Sequence, residues 1–246
     1  MTQNPILKVL STFKKYKVKG LLIGGQACII YGAAEFSRDS DFVILVNEEN
    51  LRNLKKALQA LKAEQIYVPS LEASFLQRGH VCHFRCQAKG LQGLRIDIIA
   101  KLQGCDEFIN LYKRRKIVPL KDGTSIDVMG LGDLVQSKKT QRDKDWLMLK
   151  RLVDNDIVFH KDMPKSLRRL KWWFLEARDP GILIALAKKH PKILEECILK
   201  RPLLSFATTQ DTEQLKAQLN AEEMSYRKKD VEYWDPLRKE LEILRL

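Results

Sequence analysis

At 246 residues, 45% of them hydrophobic, the chain is long and apolar enough to bury one core or two, which excludes a disordered polypeptide. Its apolar runs, "GLLIGGQACIIYGAA" and "GILIALA", are too short or too glycine-rich to span a bilayer, and no secretory leader opens the sequence, so a soluble cytoplasmic protein with no membrane partner is expected. The formal charge of +13 is concentrated in residues 1–150, which carry +10 against +3 for the rest, and such a field attracts polyanions: nucleotide phosphates, RNA or DNA.

In chain order, "PILKVLSTFKKY" places apolar side chains at 6, 9, 10 and 13, the spacing of an amphipathic helix. "GLLIGG" reads as a buried strand ending in glycines, "QACIIYGAA" as a helix packed closely on it, and "DFVILV" as the next strand. In "NEENLRNLKKALQALKAE", Asn47 is the N-cap of a helix with Leu51, Leu54, Leu58 and Leu61 along its inner face. "GHVCHFRCQ" and "LRIDIIAK" predict an antiparallel hairpin across "AKGLQG", and "KIVPL" with "KDGTSIDVMG" a second short pair. "LGDLVQSKKTQRDKDWLMLKRLV" predicts one long basic helix. "DNDIVFHKDMP" breaks that pattern and Pro164 opens a new one, which divides the chain into an α/β (α+β, mixed-sheet) domain, 1–155, and an all-α helical domain, 156–246. Pro180, Pro191, Pro202 and Pro236 stand at predicted helix starts, and Trp172 and Trp173 belong to a core-facing helix.

The stretch "SRDSDFVILV" sets the chemical question. Asp39 and Asp41 are two apart, so an extended chain puts both on one face, about 6–7 Å from each other. Like charges that close need a divalent cation, an Arg or Lys, or water between them. Asp97, flanked by Ile96, Ile98 and Ile99, is expensive in a strand unless its face is wet or a cation is present. The three carboxylates could converge on one side of a mixed sheet as a hard oxygen site suited to Mg²⁺. Asp127 is the rival third carboxylate and reads as solvated beside its turn. "HVCHFRC" invites zinc, yet on a strand His80, Cys82 and Cys86 share a face while His83 points away, and no second cluster completes a tetrahedral set. Five cysteines without a leader read as reduced thiols, and "KRRK" at 113–116 as either an RNA contact or a solvated turn.

The order "LLIGGQACIIYG", "FSRDSDFVILV", "LRIDIIAK" resembles the nucleotidyltransferase superfamily, the DNA polymerase β-like fold: a strand ending in Gly-Gly, about a dozen residues, Asp-x-Asp, and a later strand with a third acid. Thirteen residues separate Gly25 from Asp39, within the family's usual spacing. The phrasing is most similar to the bacterial abortive-infection branch, the AbiEii-type toxins, whose basic helix is like "SKKTQRDKD" and whose C-terminal domain is helical. The resemblance covers residues 20–150, and the C-terminal helices add only a general likeness.

The resemblance implies a nucleotidyltransferase domain followed by a helical one, and Mg²⁺- or Mn²⁺-dependent transfer of a nucleoside monophosphate from an NTP to an acceptor. Under it Asp39 and Asp41 are metal ligands, and Asp97 is a ligand or general base. Gly24, Gly25 and Ser37 lie at the donor's phosphates, and Lys138 or Lys139 with Arg142 neutralises the triphosphate or the acceptor phosphate. The positive first domain makes RNA, with a tRNA end among the candidates, the expected acceptor, and the toxin likeness implies an antitoxin partner. Two other readings stay open: nucleotidylation of a protein or small molecule, and a non-catalytic nucleic-acid- or partner-binding module of the same fold. Three positions depart from the family pattern: Ser40 where a hydrophobic residue is usual, Glu35 where close relatives often carry Arg, and Met148 where a further Asp is common. Read one register later, "RDSD" would put Val43 in place of the second acid; the Gly25 spacing favours Asp39 and Asp41.

Overall fold

Helix α1 (Pro5–Lys15) opens the computed structural model, which describes residues 5–120, 123–160 and 166–245. Its buried residues are Ile6, Val9, Leu10 and Phe13, the four that the helical spacing singles out. Strand β1 (Gly20–Ile23), helix α2 (Gly24–Ile30), strand β2 (Asp39–Ile44) and helix α3 (Glu48–Ala60) come next. Asn47 caps α3, accepting a hydrogen bond from the Asn50 backbone at 2.7 Å. Leu54, Leu58 and Leu61 are buried as expected, whereas Leu51 is only half-buried and Asn50 lies inside. The Asn50 amide accepts from Lys19 N at 2.7 Å and donates to the carbonyls of Lys19 and Leu45 at 2.9 and 2.7 Å. A polar side chain that closes three backbone groups outcompetes a leucine for that interior position.

Strand β3 (Ala63–Gln65) and helix α4 (Ala73–Arg78) precede β4 (Cys82–Cys86) and β5 (Arg95–Ile99), the expected hairpin. Helix α5 (Phe108–Lys113) leads to the second expected pair, β6 (Lys116–Pro119) and β7 (Ser125–Val128), and then to α6 (Leu131–Ser137). The seven strands form one mixed sheet in the order β3-β4-β5-β2-β1-β7-β6. The β2–β5 and β1–β7 pairs are parallel and the other four antiparallel. Ser40, Phe42, Ile96 and Ile98 turn inward from β2 and β5, and Phe13 of α1 meets Phe42 with ring centroids 4.7 Å apart.

From Lys138 to Ile243 the described residues form no strand. Helices α7 (Asp143–His160), α8 (Leu167–Glu176), α9 (Pro180–Lys189) and α10 (Pro191–Ile198) lead through a 3₁₀ turn at Pro202–Leu204 to α11 (Ser205–Thr208) and α12 (Thr212–Ile243). The single long helix expected over 131–153 is instead α6 and α7, separated by residues 138–142. Asp145 explains the break: it accepts from Lys138 Nζ at 2.8 Å, Thr140 Oγ1 at 2.7 Å and Arg142 Nε at 2.8 Å. A continuous helix would turn Thr140, five residues earlier, away from it. Pro180, Pro191 and Pro202 start helical segments, and Pro164 lies outside the described residues. Pro236 lies inside α12 rather than at its start. A proline there costs about 3 kcal/mol, and burial of the adjacent Leu237 acts against that loss.

The chain divides into two compact units, one formed by residues up to Ser137 and from Tyr233 onward, the other by Lys138–Glu232. In the second, Trp173 and Phe174 are fully buried, and the Trp173 indole donates to Asp156 at 2.8 Å. None of the five cysteines is in a disulfide. No helix among the described residues is long and apolar enough to cross a membrane.

Candidate functional site

The mouth of β2 is assembled from the loop before it and from the end of β1. Gly24 follows β1 with φ +66°, a conformation that glycine adopts without strain. A Cβ there would stand 1.8 Å from Asp41 Oδ2, so the missing side chain makes room for a carboxylate. At Gly25 a Cβ would stand 2.5 Å from Ser37 Oγ. Ser37 Oγ donates to the Asp39 carbonyl at 3.2 Å, and Gln26 Nε2 donates to the Ser37 carbonyl at 2.9 Å, which ties the loop to α2. The Gly-Gly pair thus has a reason nearer than a bound phosphate: it admits Asp41 and Ser37.

Asp39 and Asp41 alternate with buried Ser40 and share the outer face of β2. Across the parallel β2–β5 register, Asp41 is paired with Asp97 and Asp39 with Arg95. The sheet therefore brings Gly24, Gly25, Ser37, Asp39, Asp41 and Asp97 to one place. It also brings Arg95 and His83, which no sequence motif singles out. Arg95 Nε donates to Asp97 Oδ1 at 2.8 Å, and His83 Nδ1, from β4, lies 2.9 Å from the same oxygen. Arg95 Nη2 is 2.9 Å from that imidazole nitrogen. Burial works to raise the Asp97 carboxyl, but the hydrogen bonds and charges of His83 and Arg95 outweigh it and hold the group below its ordinary range. An ionised carboxylate can only accept and a guanidinium can only donate, so the tautomer of His83 decides which of the two Nδ1 bonds.

Part of the question raised by three neighbouring acids is answered by a guanidinium. Arg95 neutralises Asp97 directly and stands on the rung of Asp39; burial works to lower its pKa, but the hydrogen bond and charge of Asp97, with the charge of Asp39, raise it. Among the described residues, no group of three or more His, Cys, Asp or Glu is disposed to hold a metal ion. The carboxylates of this face that could hold a cation are Asp39 and Asp41, and further ligands would come from a substrate.

Lys138, Lys139 and Arg142 belong to the helical unit, and each is bonded to a carboxylate there. Lys138 and Arg142 share Asp145, while Lys139 pairs with Glu176 at 2.8 Å. Burial works to raise the Asp145 carboxyl, and the charges of Lys138 and Arg142 pull it below its usual range. Asp127, expected to be solvated, instead accepts from Arg115 at 2.8 Å and from the Tyr112 hydroxyl at 3.1 Å. Arg114 of "KRRK" pairs with Asp106 and Asp133, each at 2.8 Å. His80 is buried and bonded through Nε2 to Glu240 at 2.7 Å. A signal for His83 and Arg95 was present: in two otherwise apolar strands the polar residues alternate, His83 with Arg85 and Arg95 with Asp97.

No family model and no curated protein sequence matches the chain. Among solved structures it is similar to a candidate nucleotidyltransferase from H. pylori, at 15% identity and a TM-score of 0.42 over 93% of this chain and 94% of that one. It is also similar to JHP933 from Helicobacter pylori, at 14% identity and a TM-score of 0.38 over 98% and 95% of the two chains. Likenesses of this size carry nothing about activity.

Proposed function

We propose that the protein is a divalent-cation-dependent nucleotidyltransferase that moves a nucleoside monophosphate from an NTP to an acceptor hydroxyl, with RNA as the acceptor. The observation that supports this reading is the Asp39–Asp41 pair on one face of β2, with Asp97 beside Asp41 across the parallel register and Gly24 bare where the Asp41 carboxylate lies. Mg²⁺ is usually held by one or two carboxylates together with substrate phosphates, so two neighbouring aspartates with no group of three such ligands among the described residues fit it, or Mn²⁺. When bound, the ion supplies charge neutralisation for the triphosphate and the leaving pyrophosphate. Asp39 and Asp41 are the residues that would hold it.

Asp97 has a different task. Its described contacts fall on Oδ1, which leaves Oδ2 to accept a hydrogen bond from the incoming hydroxyl and orient it. Through Oδ1 the same carboxylate fixes Arg95, whose guanidinium stabilises charge on the transferring phosphate. A fold that keeps the shape of this site and has lost its metal binding is the second reading. It is favoured by the guanidinium already at Asp97 and by the lack of a three-ligand metal group among the described residues. On it the chain is a non-catalytic nucleic-acid- or partner-binding module.

Incubation with each α-³²P-labelled NTP, Mg²⁺ and total RNA, beside an Asp39→Ala/Asp41→Ala control, separates the two. Label on RNA that needs both aspartates supports transfer. Label on protein redirects the reading to protein nucleotidylation, and no label under any NTP leaves the binding module. The likeness to abortive-infection toxins extends the proposal to cells. Expression of the intact chain arrests growth, the double variant does not, and an antitoxin relieves the arrest.

A further inference from the structure

Only β2 among the three strands at the site carries the carboxylate pair, and its neighbours present a second set of side chains on the same face. Arg95 and Asp97 on β5 are in register with Arg85 and His83 on β4. Residues at paired positions of adjacent strands point the same way. One rung therefore reads Asp39, Arg95, Arg85 and the next Asp41, Asp97, His83. Negative charge dominates at β2 and positive charge at β4. Arg85 is exposed, and its cross-strand partner on β3, Glu64, lies within 3.4 Å of the Gln87 amide. Just past β3, Tyr67 is 51% exposed and meets the His83 ring edge-on, with centroids 5.7 Å apart.

An exposed aromatic ring beside guanidinium groups on an open sheet face matches what single-stranded nucleic acid requires: stacking for an unpaired base and cations for the backbone. We propose that the face running from β5 through β4 to Tyr67 is the acceptor track. A single-stranded RNA end lies across it with phosphodiesters on Arg95 and Arg85 and a base on Tyr67, which delivers its terminal hydroxyl to Asp97. Arg85 is two strands from Asp39, about 10 Å, a separation suited to a chain with several phosphates rather than to a small acceptor. The chemistry assigned to this track rests on the nucleotidyltransferase reading; the binding does not.

The test is fluorescence polarisation of a labelled single-stranded oligoribonucleotide against the full chain over a salt series, without NTP. Arg85→Ala lowers affinity about fivefold or more and reduces the slope of log affinity against log salt by about 0.7, the increment for one phosphate contact on a single strand. Tyr67→Ala weakens binding about fivefold or more, and Tyr67→Phe restores it. Both residues are exposed at the surface, and melting curves verify that the variants fold. Unchanged RNA affinity in Arg85→Ala and Tyr67→Ala, no RNA binding by the parent chain, or duplex RNA competing as well as the single strand each overturns the track. Equilibrium dialysis with labelled NTP gives the independent arm, which Asp39→Ala/Asp41→Ala abolishes and the two track variants leave intact. RNA binding that needs Arg85 and Tyr67 without any transfer sinks the nucleotidyltransferase reading and keeps the track. Transfer to RNA at parental kcat/KM in both track variants does the reverse.

Discussion

Gly24 combines two demands in one residue. Its φ of +66° costs any L side chain about 1–2 kcal/mol, and a methyl group there would overlap the Asp41 carboxylate. Gly24→Ala should therefore act on chemistry more than on folding: the displaced Asp41 lowers the rate of label transfer about 100-fold, the scale of a misplacement near 1 Å, while the melting curve moves by only a few degrees. Transfer at the parental rate would show that the Asp41 pose is not the working one. Ser40, between the two acids, makes the opposite prediction. It is fully buried, and its hydroxyl has no hydrogen-bond partner among the described residues. A buried hydroxyl without a partner weakens the fold, so Ser40→Ala should raise stability by about 1 kcal/mol, read as a higher urea midpoint with unchanged slope. A lower midpoint would mean that the hydroxyl is satisfied in solution.

Elements with a clean local pattern were legible from sequence: α1 by its spacing of 3.6, β2 and β5 as short apolar runs that carry acids, α3 by its cap, and β4 by the alternation of a strand. The same alternation correctly set His83 on the face opposite Cys82 and Cys86. It could not say what His83 meets, because the register between β4 and β5 depends on how the intervening turn closes, not on either strand alone. The three basic residues 138, 139 and 142 were legible as charge, but the carboxylates that claim them, Asp145 and Glu176, come from α7 and α8. Asp145 is the strongest case. Its removal leaves Lys138 buried without a counter-charge, so Asp145→Ala should cost about 3–5 kcal/mol in urea unfolding. The folded-state pKa of Asp145 is depressed, so its stabilisation is present above the ordinary carboxylate pKa and lost as pH falls through the lower folded value. Asp97 behaves in the same sense. The urea midpoint of the parent chain should fall steadily between about pH 5 and pH 2, and Asp145→Asn should show a shallower acid limb. An equal slope in the two proteins would remove Asp145 from the account.

Over the whole chain, the least legible feature is that its last turns belong with its first residues. The residues from Tyr233 onward group with the sheet, so a cut at residue 155 would separate parts that form one unit. Three contacts make the dependence physical. His80 is 1% exposed and bonds Glu240, 160 residues away, which also pairs with Arg78 at 2.6 Å. Leu237 is buried, and the Tyr233 hydroxyl fills the space that a side chain at Gly79 would need. No local pattern announces such a partner, because "GHVCHF" reads the same whether or not a helix end covers it. A fragment ending at residue 155 exposes the Leu237 contacts and leaves a buried imidazole without its acceptor. It should melt without a cooperative transition, whereas the full chain shows one. Leu237→Ala in the full chain should cost about 2–4 kcal/mol, the ordinary range for a buried leucine. Should the fragment instead melt cooperatively at the temperature of the full chain, the sheet unit needs nothing from α12. The acceptor track, which lies wholly on the strands and the loop just past β3, could then be tested on the fragment alone.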